Sequence, residues 1–187
     1  MEQKVICPFS KLVDLPLLSR VRRNHALEHA TLHVLSERHP HLKLMGRASL
    51  WGFYIYGSLS AGEVLSAAQE GLLRLRSGQR NMAIHPQCGS NYVVAGGLAG
   101  LGAFIVLDSS RNRRETNFLK RLAYLPLVCA VATLGIIMAG FVAPLFQSLV
   151  TTKADIGDLR VLGVVQENRT GIPVYFVRTS QPFSGIR

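Results

Sequence analysis

The order of apolar and polar residues predicts two helices in the first part of the chain. Residues 17–38 carry apolar side chains at helical spacing directly after Pro16, which favours an amphipathic helix. Further along, Ser60 and Glu63 have the spacing of a capping box, in which each side chain accepts a hydrogen bond from the other residue's backbone N–H. We therefore expect a second helix over residues 61–76.

Runs of β-branched and aromatic residues indicate strands. Residues 42–56 are interrupted by glycines and predict two strands or one bent strand. Residues 81–84 predict a short connector or a short strand. Residues 159–166 and 172–178 are two β-prone runs around a glycine-containing turn, which is typical of a hairpin. Together these patterns predict an α+β fold.

Two uncharged apolar runs lie between these regions, one of 16 residues (92–107) and one of 29 residues (122–150). A helix needs roughly 20 residues to cross a bilayer core, so the longer run is a predicted span and the shorter one is marginal. We interpret the two runs as a transmembrane helical hairpin. Two alternatives stay open: the shorter run dips into the membrane without crossing it, or it forms a buried helix of a soluble core.

Glycines and prolines add detail to the two runs. Gly96 and Gly100 form a G-x-x-x-G pattern, which lets a neighbouring helix approach closely. We therefore expect a membrane-protein partner or a second copy of this chain at that face. Pro126 and Pro144 flank the second span, so its helix is expected to kink or to be limited to the stretch between them.

The chain of 187 residues has a formal net charge of +10, and 48% of its residues are hydrophobic. Five basic residues fall around the loop 108–121 between the two apolar runs, namely Arg111, Arg113, Arg114, Lys120 and Arg121. Such a cluster beside a membrane favours contact with anionic lipid headgroups. The sequence contains no recognisable nucleic-acid-binding motif, so we do not expect nucleic acid as a partner.

The charge and the N-terminus give conflicting topologies. The positive-inside rule would place the loop 108–121 in the cytoplasm. Residues 1–19 lack the apolar core of a signal peptide, which instead favours a cytoplasmic N-terminal region. We favour a multi-pass protein of the inner (plasma) membrane whose soluble domain lies in the cytoplasm.

The first chemical motif lies on the first predicted helix and reads H-x-x-E-H over residues 25–29. His25 and His29 are one helical turn apart, so both imidazoles project from one face, with Glu28 at its edge. This is the inverted form of the zinc-protease motif, in which two histidines hold the metal and the glutamate is the general base. A chance pair of histidines on a helix surface is the alternative.

The second motif reads H-P-x-C-G and precedes the first apolar run. His85 and Cys88 are separated by two residues, as in a zinc knuckle, and Gly89 allows a sharp turn after the thiol. Histidine and cysteine ligands suit Zn²⁺ better than Mg²⁺ or Ca²⁺. The three cysteines are widely spaced and suggest no disulfide framework. His33 could replace one ligand, since it lies one turn further along the first helix.

The pairing of the two motifs beside an apolar helix resembles a group of uncharacterised bacterial membrane proteins that includes the YqhQ-like proteins, described as predicted metal-dependent enzymes. The chain looks closest to a smaller uncharacterised family that shares both motifs. The resemblance covers about residues 23–95, including Gly-Phe-Tyr-Ile-Tyr-Gly at 52–57. Ser90 stands where that family usually has threonine, and keeps the hydroxyl. The resemblance implies a metal bound by His25, His29, His85 and Cys88.

These observations predict a membrane-anchored zinc metalloprotein. We expect an α+β metal-binding domain over residues 1–90, the helical hairpin over 91–150 and a C-terminal β-hairpin segment over 151–187. If all four ligands bind, the tetrahedron is closed and zinc is structural, serving assembly or partner binding. If only three bind, water can take the fourth position and Glu28 can act as the base of a hydrolase near the membrane surface.

Overall fold

The computed structural model describes residues 15–111, 122–169 and 171–181. The chain divides into two compact units. The first unit comprises the described residues up to His85 together with those from Ser148 onwards, and the second comprises those within Pro86–Gln147. The predicted α+β class is confirmed, because four helices and a four-stranded antiparallel sheet are present among these residues.

Two helices of the first unit begin at the signals that the sequence carries. Helix α1 (Pro16–Arg38) has its proline in the first turn, where no backbone N–H is needed. Helix α2 (Ala61–Arg76) begins at the capping box, with the Glu63 amide 3.2 Å from Ser60 Oγ and the Ser60 amide 2.8 Å from Glu63 Oε2. Both predicted helices are confirmed.

The sheet is built from two hairpins that are distant in sequence. Strands β1 (Met45–Ser49) and β2 (Gly52–Tyr56) form the first hairpin, and β3 (Arg160–Arg169) and β4 (Ile172–Ser180) form the second. The spatial order is β1-β2-β4-β3, and every pair is antiparallel. The pairing of β2 with β4 joins the segments before and after the two apolar helices into one sheet.

The connector after α2 is a 3₁₀ helix (Arg80–Ala83), so the expectation of a strand there is wrong. Its amides bond locally, Met82 N to Gln79 O at 3.2 Å and Ile84 N to Asn81 O at 3.0 Å. Hydrogen bonds between residues three apart hold this backbone in a helical turn, so the segment is not extended as a strand would be. The 3₁₀ helix instead packs against α1.

The core lies between the two helices and one face of the sheet. Leu27 and Leu35 of α1, Val64 of α2, Phe53 of β2 and Val177 of β4 are fully buried there. Burial of such side chains contributes about 1.5–3 kcal/mol each. The opposite face of the sheet carries aromatic side chains that are only half-buried.

The second unit is a pair of packed helices, α3 (Ser90–Arg111) and α4 (Leu125–Phe146). Their backbones approach closely at Gly135, where an added Cβ would lie 2.8 Å from the Ala99 amide nitrogen. Segments Ser90–Asp108 and Leu125–Thr151 are long and apolar enough to cross a membrane. Most of the predicted basic loop, residues 112–121, lies outside the described residues.

Pro144 lies inside α4, and Gly96 and Gly100 lie inside α3. Helix α4 continues through Pro144 to Phe146 before a π-helical turn (Gln147–Thr151), so it is not limited by that proline. Proline removes one helical hydrogen bond, so the helix passes through Pro144 with one bond fewer. A Cβ at Gly96 or Gly100 would meet nothing within 4 Å among the described atoms, so this pair does not form the α3–α4 contact.

Candidate metal centre

Helix α1 brings the first two predicted ligands together. His25 and His29 lie one turn apart, and their ring centroids are 4.3 Å apart. Their ligand-capable nitrogen atoms lie within 4.8 Å of each other. The helical spacing of the motif therefore produces the convergence that the sequence predicts.

The surroundings of His29 place the lone pair of one ring nitrogen inside the protein. Its side chain is 1% exposed, and Nδ1 lies 2.7 Å from the Ala83 carbonyl oxygen. A carbonyl oxygen only accepts, so Nδ1 carries the proton and Nε2 carries the lone pair. Within the described part of the chain, Nε2 is buried and has no hydrogen-bond partner. This is the arrangement in which a histidine binds a transition metal.

His25 adopts the same tautomer through a different carbonyl. Its Nδ1 lies 2.9 Å from the Thr151 carbonyl oxygen, in the turn that follows α4. The proton therefore lies on Nδ1, and the lone pair lies on Nε2. Backbone carbonyls that bind one ring nitrogen fix the direction in which the other nitrogen points.

Two further histidines complete the histidine cluster, which we define as His25, His29, His33 and His85. The His85 ring centroid lies 5.7 Å from that of His29 and 4.9 Å from that of His33. His33 Nε2 lies 2.8 Å from the Ile84 carbonyl oxygen, so the ring of His33 is also oriented by the backbone. His33 therefore packs beside a predicted ligand, and its own lone pair lies on Nδ1.

Burial keeps the two inner imidazoles neutral. Burial, with a smaller contribution from the neighbouring His25, lowers the pKa of His29 from 6.5 to about 3. Burial also lowers the pKa of His85 to about 4, with a smaller contribution from His33. A metal ligand must be the neutral imidazole, so both rings are in the metal-binding form at pH 7.

Glu28 is buried on the side of α1 that faces the sheet. Its side chain is 3% exposed and lies against Gly46 of β1. A Cβ at position 46 would lie 2.7 Å from the Glu28 carboxyl carbon, so any other residue there would displace the carboxylate from its present position. The sequence predicted Glu28 at the edge of the histidine face, and the structure adds Gly46 as the residue that makes space for it.

Cys88 belongs to the second unit and opens the turn that leads into α3. It is 7% exposed, and its Sγ lies 3.1 Å from Ser90 Oγ. The turn is closed by the Asn91 amide, whose Nδ2 donates to the Pro86 carbonyl oxygen at 2.7 Å. A cysteine binds zinc as the thiolate, so Cys88 would have to lose its proton on metal binding.

A cavity of about 410 Å³ lies beside the carbonyls that hold the histidines. Ala83 and Ile84 form part of its wall, and three basic residues line it, namely Arg22, Arg80 and Lys153. Asp155 also lines the cavity, so its charged lining comprises three cationic side chains and one carboxylate, and this positive excess favours an anionic group. The volume is sufficient for a small ligand or for one part of a larger one.

Several groups that shape the centre were not predictable from side-chain motifs. The carbonyls of Ala83, Ile84 and Thr151 act through backbone atoms, which every residue has, so the sequence carries no signal for them. Gly46 carries a weak signal, as a glycine within a strand marks a close approach. Asp155 forms a polar turn in which its carboxylate accepts from the Gly157 amide at 3.2 Å.

Comparison with known proteins finds relatives of the chain but no characterised one. It is 36% identical over 118 residues to an uncharacterised protein of Picosynechococcus sp.. That match covers 56% of this chain and 58% of the relative, so the chain spans little more than half of that protein's length. No solved structure matches the chain. The family model of a domain of unknown function, DUF6391, matches residues 20–164, and the chain therefore belongs to that family.

Proposed function

We propose that the protein is a membrane-anchored zinc metalloprotein that acts as a hydrolase near the membrane surface. The observation that carries the proposal is the buried, unpartnered Nε2 of His29, whose ring is held by the Ala83 carbonyl within the described part of the chain. A buried nitrogen without a partner costs about 1–3 kcal/mol of stability, and a bound metal would remove that cost.

The donor set fits zinc. The proposed ligands are His25, His29, His85 and Cys88. Imidazole nitrogen and thiolate sulfur are the ligands that zinc prefers in proteins. Cys88 follows His85 by three residues, so chain connectivity alone keeps their Cα atoms within about 11 Å of each other. His33 serves to orient His85, against which its ring packs.

The chain's own residues would support hydrolysis in distinct ways. A bound zinc ion would supply Lewis acidity, which activates water and polarises a carbonyl group. Glu28 would accept a proton from the attacking water and donate it to the leaving group. The Thr151 and Ala83 carbonyls hold His25 and His29 in the metal-binding tautomer. We propose a peptide, amide or ester bond near the membrane as the substrate class.

The proposed location is the inner membrane, with α3 and α4 as a spanning hairpin and the first unit in the cytoplasm. The length and apolar character of both helices support the spanning hairpin. We further propose that anionic lipid headgroups contact the basic loop 108–121, and that Gly96 and Gly100 accept a partner helix. The likeness of both motifs to those of the YqhQ-like proteins, which are described as predicted metal-dependent enzymes, supports metal dependence.

A second candidate function is a non-catalytic module whose zinc ion is structural and serves membrane assembly or partner binding. Burial favours it, because His29, His85 and Cys88 are 1%, 8% and 7% exposed. A closed four-ligand site leaves no position for water. In that case zinc would hold α1 to the start of α3 and contribute directly to folding.

Substitution Glu28→Gln distinguishes the two candidates. For a hydrolase we expect retained zinc and turnover lowered by about 100-fold or more, since the amide cannot act as the base. Zinc content and turnover would be measured on a library of membrane-proximal peptides and esters. Glu37→Gln is the matched control, as it lies on an exposed part of the same helix. Unchanged turnover in Glu28→Gln, or no turnover in the unaltered protein, would favour the structural module.

A further inference from the structure

The turn between β1 and β2 is held rigidly beside the first turns of α1. Asn24, which is fully buried, donates from Nδ2 to the Ser49 carbonyl oxygen at 2.9 Å and to the Leu50 carbonyl oxygen at 3.2 Å. The Thr179 amide donates to the Trp51 carbonyl oxygen at 3.0 Å. The position of Trp51 is therefore set by hydrogen bonds to both α1 and β4.

Trp51 is exposed although it is the largest apolar side chain in the protein. It is 59% exposed, and the Arg20 guanidinium lies 4.4 Å from its ring centroid in a cation–π contact. Leu17 and Leu18 of α1, one turn before Arg20, are 54% and 42% exposed. Exposed leucines with tryptophan and a basic residue are the composition of surfaces that lie in a membrane interface.

The same end of α1 is bonded to the end of the second apolar segment. The Arg22 guanidinium donates to the Leu149 carbonyl oxygen at 2.9 Å and to the Thr152 carbonyl oxygen at 3.0 Å. The Lys153 amide donates to the Arg22 carbonyl oxygen at 3.0 Å. Leu149 is itself 67% exposed and falls within Leu125–Thr151, the segment long enough to cross a membrane.

We infer that this end of the first unit docks on the bilayer. The interfacial patch, which consists of Leu17, Leu18, Trp51, Leu149 and Lys153, lies in the headgroup region of an anionic membrane, and the buried Arg20 supports Trp51 from beneath. The inference rests on the membrane placement proposed above. Where the segment leaves the apolar core, its last residues are at headgroup depth, and the hydrogen bonds of Arg22 hold α1 at that depth.

Docking of the interfacial patch would bring the histidine cluster close to the membrane surface. His25 follows Arg20 by five residues on α1, which is about 8 Å along the helix axis. The metal centre would then lie within a short distance of the headgroups. A substrate would be presented from the membrane surface, as a membrane-anchored peptide or an ester of a lipid, and not from bulk water.

Trp51 is the only tryptophan in the chain, so its fluorescence reports on the interfacial patch without any substitution. The full chain would be reconstituted in vesicles of equal parts phosphatidylcholine and phosphatidylglycerol that contain lipids brominated at shallow or at deep acyl positions. We expect strong quenching by shallow bromines, weaker quenching by deep ones and little quenching by acrylamide. Replacing phosphatidylglycerol by phosphatidylcholine should reduce the shallow quenching, because the half-buried Lys153 loses its anionic partner.

The control moves the tryptophan to the other end of the same hairpin by combining Trp51→Phe with Met45→Trp. Met45 is 68% exposed and lies roughly 15 Å away along β1. In this variant we expect quenching by acrylamide and none by brominated lipid. Equal lipid quenching at the two positions would overturn the patch, because docking would not be specific to one end of the hairpin.

Two other outcomes are also decisive. Vesicles that retain the protein after a carbonate wash, while Trp51 remains open to acrylamide and insensitive to bromines, would overturn the interfacial patch and leave the spanning helices intact. Failure of the protein to float with vesicles would overturn both the spans and the patch. The zinc content of the same samples reports separately on the metal site.

Discussion

At the residue scale, the metal proposal depends on how one imidazole is buried. His29 donates to the Ala83 carbonyl through Nδ1, and its other nitrogen faces the protein interior without a partner among the described residues. A histidine that served only to fill space would satisfy both nitrogens or expose one to water. A ligand bound to Nε2 of His29 would remove the stability cost of this arrangement.

Substitution His29→Ala should remove the bound metal and lower stability. In a folding-linked zinc site the loss of one ligand removes much of the binding free energy. The measurement is zinc content and melting temperature in detergent. His41→Ala is the control, since His41 is exposed and lies outside the histidine cluster. Retained zinc in His29→Ala, at a level equal to that in His41→Ala, would contradict the assigned ligand.

The lowered pKa values predict that the metal-free protein loses stability in acid. In the unfolded chain His29 takes up a proton below pH 6.5, whereas burial lowers the folded pKa to about 3. The unfolded state therefore binds more protons as pH falls, and stability decreases by about 1.4 kcal/mol per pH unit between these values. His85, with a folded pKa of about 4, adds to this loss.

The test is the melting temperature of chelator-treated protein between pH 7 and pH 4.5. We expect a steady decrease in the unaltered chain and a shallower one in His29→Ala, which lacks this titrating group. A melting temperature that does not change over this range would show that the two imidazoles are not buried in their neutral form.

At the element scale, short-range signals were sufficient for most of the fold. The capping box of α2 and the proline of α1 act within one turn, so local sequence predicts both starts. The strand alternative for the segment before His85 was wrong, because tertiary burial of Met82 and Ala83 selects a 3₁₀ turn. Periodicity over four residues cannot distinguish these conformations.

The candidate site was predictable only in part, for a related reason. The spacing of His25 and His29 follows from helix geometry, which sequence reveals directly. The carbonyls that orient these rings lie 126 and 54 residues away in the chain. Such partners are set by the three-dimensional packing of distant segments, and no residue type identifies them in advance.

The close approach of α3 and α4 at Gly135 predicts the effect of a substitution at that position. An added Cβ at Gly135 would lie 2.8 Å from the Ala99 amide nitrogen, and backbone atoms cannot move aside. We expect Gly135→Ala to destabilise the helix pair by about 1–3 kcal/mol. Gly140→Ala, on the same helix, should leave the stability of the pair unchanged, because a Cβ there would meet nothing within 4 Å among the described atoms.

Unfolding of the second unit would be followed by circular dichroism during titration with sodium dodecyl sulfate. Equal midpoints for Gly135→Ala and Gly140→Ala would contradict the close approach at Gly135. A lowered midpoint in a separate Gly100→Ala variant would indicate that a partner helix packs on the Gly96 and Gly100 face.

At the scale of the whole molecule, the sheet constrains the topology. Strand β2 precedes both apolar helices and strand β4 follows them, yet the two strands are hydrogen-bonded neighbours. Residues on either side of the helices must therefore lie on the same side of any membrane. This requires an even number of crossings, which favours the helical hairpin over a single span with a dipping first helix.

Cysteine labelling tests this topology. Single cysteines would replace Ser77, Ser180 or Asn117 in a chain whose native cysteines are changed to serine. An impermeant thiol reagent applied to sealed vesicles should label positions 77 and 180 from one side and position 117, in the loop between the helices, from the other. Labelling of all three positions from one side would show that neither helix crosses the membrane.

The central claim is that the histidine cluster, together with Cys88, binds zinc. The most direct measurement is the metal content, by mass spectrometry, of protein purified in detergent without added metal. We predict about one Zn²⁺ per chain, retained in His41→Ala and lost when His25→Ala and Cys88→Ala are combined. Folded protein without bound metal, or zinc that survives the double substitution, would contradict the account.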